Sequence, residues 1–283
     1  MSVYLGPNFT SATPLTHARI GYQQVITGAT ATSAAAGFIA LATLTPQTYE
    51  RWMPTASPAT ITFTFPGRVI NYIGIGAHTL SLADSVELEV LQGGSWIPQS
   101  LTLSGSKSAS LILDFVNQQY SVQGTISDSN DAHLILLAPT FCQGFRLIIT
   151  YSAAAPSIAY VSAGNVLEME RPFYRGNTPV QLTADIVSRP NVSEGGEWLG
   201  RSLIRQGRST SMQWQNLSAP WYRNNFDLFR VHAQSGTFFV AWNPAQYGTD
   251  VLYAHTDDDI RPTHSGFRDK LSVSMNVKGY LQR

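Results

Sequence analysis

Apolar and polar positions alternate with the two-residue period of a strand along much of this chain. In Ile61-Thr-Phe-Thr-Phe every second residue is apolar and the residues between carry hydroxyls, which predicts a strand with one buried face. Pro66-Gly67 predicts a turn, and Val69–Ile75 a second strand. Val86-Glu-Leu-Glu-Val-Leu places Val86, Leu88 and Val90 on one face and Glu87 and Glu89 on the other. Gly93-Gly94 then predicts a hairpin before Ser95-Trp-Ile. Leu111–Val116, His133–Leu137, Phe145–Tyr151 and Ser157–Val161 read as further strands. Upstream, residues 1–16, with Pro7 and Pro14, read as an extended arm, His17–Val25 as a short strand, and Ala29–Leu44 as room for a brief helix.

The second half repeats the texture. Strands are expected at Val180–Val187, Ser209–Gln215, Phe229–His232, Thr237–Trp242, Val251–Ala254 and Leu271–Val277. Short strands between turn residues, with no long 3.6-residue period, predict an all-β fold of two β-sandwich or jelly-roll domains. The length of 283 residues agrees with two domains. Charge texture changes near residue 160: residues 1–160 hold 5 basic and 7 acidic side chains, and 161–283 hold 13 and 11. The boundary is therefore expected near 165, giving domains 1–165, with the arm 1–16, and 166–283.

Composition narrows the function. Charged residues are only 13% of the chain, so Ser, Thr, Asn and Gln must supply the wet faces, as strands prefer and helices do not. Formal net charge is zero, which gives no bulk attraction for nucleic acid or an anionic membrane. The longest apolar stretch, near Ala34–Leu44, is too short and broken to span a bilayer, and the N-terminus lacks the pattern of a secretory signal. An aqueous compartment is the expectation.

Catalytic and metal-binding constellations fare poorly. Cys142 is the sole cysteine, flanked by no base or cation, and reads as a small, half-buried hydrophobe. Asp257-Asp258-Asp259 lacks the alternating acids and glycine turn of a calcium loop and reads as a polar loop paired with Arg261. The six histidines show no metal-ligand spacing, and neither a nucleophile elbow nor a phosphate-cradling glycine loop is present. No cofactor, no metal and no enzyme activity are expected.

Binding chemistry is more visible. Arg201, Arg205 and Arg208 lie within eight residues, close to Trp198 and Trp214, and Trp221 follows. Guanidinium and indole groups are what protein–protein hot spots are built from, and the cluster is too narrow for a nucleic-acid groove. Arg201, Arg205, Arg208, Trp198 and Trp221 are thus the candidate interface. Tyr49, Trp52 and Trp96 are candidate sugar-stacking rings, with core or edge packing as the simpler role.

Two passages resemble known families. Trp52-Met-Pro, Ile61-Thr-Phe-Thr-Phe, Tyr72-Ile-Gly-Ile-Gly-Ala-His78, Val86-Glu-Leu-Glu-Val and Phe145-Arg-Leu-Ile-Ile occur in the order of a galactose-binding-like (discoidin-type) jelly roll, over residues 45–160. Thr237-Phe-Phe-Val-Ala-Trp-Asn-Pro-Ala-Gln-Tyr-Gly-Thr-Asp-Val-Leu-Tyr, then Asp259-Ile-Arg-Pro and Leu271-Ser-Val-Ser-Met-Asn-Val-Lys-Gly-Tyr, resemble bacteriophage tail-tip proteins, over 165–283. The second resemblance implies a structural virion component of the tail tip or baseplate, assembled in the host cytoplasm. It would act by self-association as a ring or trimer and by docking to other phage tail proteins. The alternative that the first resemblance implies is a carbohydrate-binding module for host-surface glycans.

Overall fold

The structure is a computed structural model that describes residues 2–81, 84–103, 132–174, 183, 185–264 and 269–280. Its strands are β1 (Ser2–Leu5), β2 (Arg19–Gly21), β3 (Gly28–Ala31), β4 (Ala59–His78), β5 (Ser85–Gln92), β6 (Ser95–Gln99), β7 (Thr102–Leu103) and β8 (His133–Thr150). They continue with β9 (Ile158–Gly164), β10 (Val166–Glu168), β11 (Asp185–Val192), β12 (Trp198–Ser218), β13 (Phe238–Ala241), β14 (Val251–His255), β15 (Thr263–His264) and β16 (Lys270–Gly279). The chain is all-β, with its strands in two sheets.

Two long strands organise the first sheet. β4 and β8 run antiparallel for most of their lengths, but their register shifts between Thr64 and Arg68 and again between Ile70 and Tyr72. No turn interrupts β4 at Pro66-Gly67. The two strands predicted on either side are one strand whose pairing slips there, because proline removes a ladder donor without needing to reverse the chain. The slips divide the sheet into two wings. One wing joins β3, the first part of β4, the last part of β8, β5 and β6; the other joins β9, the last part of β4, the first part of β8, β1 and β7.

Side chains from both wings meet in one core. Ile61, Phe63, Phe145, Leu147, Leu88 and Val90 come from the first wing, and Ile73, Ile75, Ile135, Leu137 and Val161 from the second. The alternation of β5 falls as predicted, with Leu88 and Val90 buried and Glu87 exposed. The Gly93-Gly94 hairpin also forms, both glycines at positive φ (54° and 85°), the geometry that tight hairpins need. The expected arm is partly a strand: β1 pairs in parallel with β8 through Ser2–Leu5. Cys142 lies wholly buried in this core rather than half-buried, and burial pushes its thiol up to about 11. The brief helix forms as a 3-10 turn at Ala40–Leu44, and the strand expected at Leu111–Val116 lies outside the described residues.

The second sheet has the order β10-β2-β13-β14-β16-β12-β11. Arg19–Gly21, from the chain's first twenty-odd residues, thus sits beside strands of the second half. Arg19 itself is buried: its guanidinium donates to the carbonyls of His17 (3.0 Å) and Thr13 (2.7 Å) and to Ser11 Oγ (2.5 Å), with Glu168 at 3.8 Å. Those bonds fasten segment 11–19 to β10.

Each face of the second sheet is covered differently. On one side Phe238, Val240, Leu252, Met275 and Val277 pack against Tyr222, Phe226, Phe229 and Ala233. The latter belong to a helical segment made of Ala219–Trp221, Tyr222–Phe226 and Asp227–Ala233. A strand was expected at Phe229–His232. Pro220 in the first turn, followed by apolar residues at spacings of four, three and four, sets a helical period that the short window conceals. On the other side, Phe239, Ala241, Val251 and Tyr253 pack on Val3, Tyr72, Leu134, Leu136 and Tyr160 from the outer face of the second wing. Gly74 makes this approach possible, since a Cβ there would lie 2.4 Å from the Phe239 ring. Four layers result: wing, wing, sheet and helix.

Candidate functional site

The described surface has one region where the strand rules are not satisfied internally. β12 pairs with β16 from Arg208 to Ser218, whereas from Trp198 to Gly207 its recorded partner is β11. Beyond Gly207 the sheet therefore narrows to a two-stranded ribbon, ten residues on the β12 side and roughly 30 Å long at the usual rise per residue. Its pairing slips twice, between Val187 and Ser188 and between Pro190 and Val192. Tip residues Ser193–Glu197 close it, with Gly196 at φ 85°.

Apolar side chains on this ribbon face water. Trp198 and Leu199 are each 64% exposed and Ile204 67%, and Ile186, Val187 and Val192 are exposed too. Val192 and Trp198 are register partners and so share one face near the tip. Glu194 and Glu197 lie at the tip, and Arg189 and Arg201 lie behind them, all exposed. A two-stranded ribbon is marginal in water without a third layer, and exposed apolar groups of this size mark a surface that something else covers.

The predicted interface residues fall on and around this ribbon. Trp198 and Arg201 lie on it, and Arg205 is on its β12 strand. Arg208 stands at its root, where the β16 pairing begins. Trp221 does not join them: it packs half-buried against the helix-side core, its ring tilted on Phe226. Ile186, Val187, Val192, Leu199 and Ile204 were missed as surface residues. The signal available was Leu203-Ile204 within a tract that reads without a break into Ser209–Gln215, so that one strand runs through the arginine cluster.

The predicted sugar-stacking rings are dispersed. Trp52 is wholly buried, donating its Nε1–H to the Ser33 carbonyl (3.0 Å), and presents no face to solvent. Trp96 is half-buried under the Arg146 guanidinium, which sits 4.5 Å from its ring centroid and is held from the other side by Glu89. Tyr49 is 75% exposed and donates its hydroxyl proton to Gln47 Oε1 (2.8 Å). It follows the 3-10 turn, whose neighbourhood also exposes Phe38, Ile39 and Leu41.

The acidic run is spoken for, residue by residue. Asp257 pairs with Lys278 and lies 3.6 Å from His255 Nε2, Asp258 accepts the Asn276 N–H (2.9 Å), and Asp259 pairs with Arg261 (2.7 Å). Among the described residues no three His, Cys, Asp or Glu side chains gather as a metal site would require, and no helix is long and apolar enough to cross a membrane. The other buried ionisable cluster is apolar in character. His78 and His133 stack at 4.4 Å and 18°, with Tyr4 edge-on to His133 at 5.6 Å. Burial, and then the neighbouring His78, hold His133 well below the ordinary histidine value.

No family model and no curated protein sequence matches this chain. Among solved structures it is similar to the family 32 CBM of C. perfringens NanJ in complex with galactose, at 12% identity and TM-score 0.39, over 51% of this chain and 98% of that one. It is also similar to CpGH89CBM32-5 from Clostridium perfringens, in complex with GalNAc-beta-1,3-galactose, at 16% identity and TM-score 0.36, over 48% and 94%. A third, the crystal structure of SpGH29, is 15% identical at TM-score 0.36, and the match spans 50% of this chain and 28% of that one.

Proposed function

We propose that this protein is a non-catalytic assembly component in which the four-layered body is a rigid mount and the β11–β12 ribbon docks on neighbouring subunits. The observation that supports this is the ribbon's exposed apolar strip, Val192, Trp198, Leu199 and Ile204, carried on strands that no layer covers among the described residues. Burial of such groups is worth roughly 1.5–3 kcal/mol for each large side chain, enough for a small number of them to hold an interface. A phage tail tip or baseplate, with the protein in the virion and other tail proteins as neighbours, is the setting that the resemblance of residues 165–283 brings to this reading. Analytical ultracentrifugation of the full chain, beside a variant in which residues 187–205 are replaced by a short Gly-Ser turn, tests it. Self-association that disappears with the ribbon is expected; a monomeric full chain, or association indifferent to the ribbon, would overturn it.

A second reading is recognition of host-surface glycans, and the exposed ring of Tyr49 favours it. A flat ring open to solvent can stack on a sugar face, and Phe38, Ile39 and Leu41 would extend that platform. A glycan array probed with the full chain and with Tyr49→Ala decides it: binding that falls with the substitution is expected, and silence of the full chain removes the idea.

A further inference from the structure

The charges along the ribbon have an order. Glu194 and Glu197 sit at its tip, while Arg201 and Arg189 sit behind. The pairs Pro190–Arg201 and Arg189–Ser202 are consecutive, so the two arginines point to opposite faces, and Arg201 shares the face of Val192 and Trp198. Arg201 lies three positions beyond Trp198, roughly 10 Å of strand. The exposed Val192–Trp198 pair lies between the acidic end and the basic end.

An object with an acidic end, an apolar middle and a basic end is complementary to itself when turned around. We infer that two copies of this chain pair through the distal parts of their ribbons, antiparallel and about a two-fold axis near Trp198, so that the tip of each lies on Arg201 of the other. This rests on the assembly reading and specifies its partner as a second copy. A two-fold contact uses the same patch twice, so every favourable pair occurs twice. Trp198 and Val192 of both copies would be buried together at the centre, with Glu194 and Glu197 of one copy against Arg201 of the other at the rim. An apolar anchor ringed by polar pairs is the usual anatomy of a specific interface. Parallel pairing would set acid on acid and arginine on arginine, and like charges placed together select against it.

Among the described residues, the other exposed apolar groups include Phe38, Ile39 and Leu41, the Val69–Phe141 register pair, and Leu228 and Val231, which lie apart from the ribbon.

Charge reversal tests the geometry. Two full-length variants are made, one Glu194→Arg with Glu197→Arg, the other Arg189→Glu with Arg201→Glu, all at exposed positions. Circular dichroism and thermal melting confirm that each folds. Alone, each variant would juxtapose like charges and associate more than about tenfold more weakly than the unaltered chain. Mixed in equal amounts, they would restore association, because the basic tip of the first meets the acidic stem of the second and the acidic tip of the second meets the basic stem of the first. Restored association in the mixture supports charge pairing between ribbons, and a third variant carrying all four reversals fixes its direction. It should associate with itself as the unaltered chain does and not with the unaltered chain, whereas preferential pairing with the unaltered chain would mean a parallel contact and overturn the proposal. Variants that each associate as well as the unaltered chain overturn it, while leaving the assembly reading to the ribbon-replacement experiment. Weakened variants whose mixture stays weak also overturn it, since the arginines and glutamates would then be facing something other than each other.

Discussion

β9 and the β11–β12 ribbon are built of similar strand-forming residues, yet they stand at opposite ends of the burial scale. β9, Ile158-Ala-Tyr-Val-Ser-Ala-Gly, is buried at all seven positions, because one face lines the core between the wings and the other meets the second sheet. The ribbon's Trp198, Leu199 and Ile204 are each more than 60% exposed, and among the described residues no layer covers either face. A strand buried on two sides loses its alternation in sequence and gains stability from both layers. A strand covered on neither side leaves its apolar residues open to solvent. The difference separates what holds the fold from what is available for docking, and mutations on the two sides of it should behave oppositely.

The largest effect belongs at the junction between the layers. Phe239 is fully buried, parallel to Tyr160 at 6.1 Å and tilted on Tyr253 at 5.1 Å. Phe239→Ala removes a ring that the second wing and the second sheet share, and should cost about 3–5 kcal/mol in chemical denaturation. Because the ring touches both sheets, loss of a single cooperative transition into two steps would show that the layers had been uncoupled.

Gly74→Ala attacks the same junction from the facing side. The added methyl would come 2.4 Å from Phe239, and the ring has packed neighbours behind it. Overpacking of about 1–3 kcal/mol is expected, measured in the same way. Combined with Phe239→Ala, the glycine substitution should cost much less, since the atom it collides with is gone; additive losses would refute the close approach.

How much of this was legible in sequence follows the same division. Strands with one wet face were readable: Ile61–Phe65 and Val86–Leu91 alternate because water sits on one side, and Gly93-Gly94 had the turn chemistry its hairpin uses. Ile158–Val161 and Phe238–Ala241 could be recognised as strands but not assigned neighbours, since an unbroken apolar run does not say what covers each face. The placement of Arg19–Gly21 in the second sheet was invisible, because it depends on partners more than 140 residues away. The helical segment was misread for a local reason, as Phe229-Arg-Val-His alternates over four residues while Tyr222, Phe226, Phe229 and Ala233 keep the longer period. For the candidate site, residue types were legible and exposure was not. Trp198 and Trp52 are chemically identical, and only the layers decide that one is open and the other closed.

Acid should act on the buried side of the comparison and spare the ribbon. His133 is fully buried against His78 and Tyr4, where burial holds its protonation well below the usual value. Below about pH 6.5 the unfolded chain takes up a proton at this residue that the folded chain does not, so stability falls as pH falls, by at most about 1.4 kcal/mol per pH unit for that one proton. Above that pH the contribution is complete and flat. His133→Phe keeps a ring in the stack and removes the proton, so the melting temperature of that variant should decline less between pH 6.5 and 5 than that of the unaltered chain. Equal declines would place the acid sensitivity elsewhere.

The smallest effect on folding is expected where the effect on association should be clearest. Trp198→Ser removes the largest side chain on the ribbon, yet that ring is 64% exposed and Val192 is its register partner on the same face. Little burial is lost from an isolated copy, so dilute, monomeric protein should unfold within about 0.5 kcal/mol of the unaltered chain. At concentrations where copies associate, the two proteins should part, because association adds stability that grows with the logarithm of protein concentration above the dissociation constant, and the variant forgoes it. A melting temperature that rises with concentration in the unaltered chain and stays constant in Trp198→Ser would put the tryptophan at an interface between molecules. A large loss of stability in the dilute variant would mean instead that Trp198 packs within its own chain, and that the ribbon belongs with the body rather than with a neighbour.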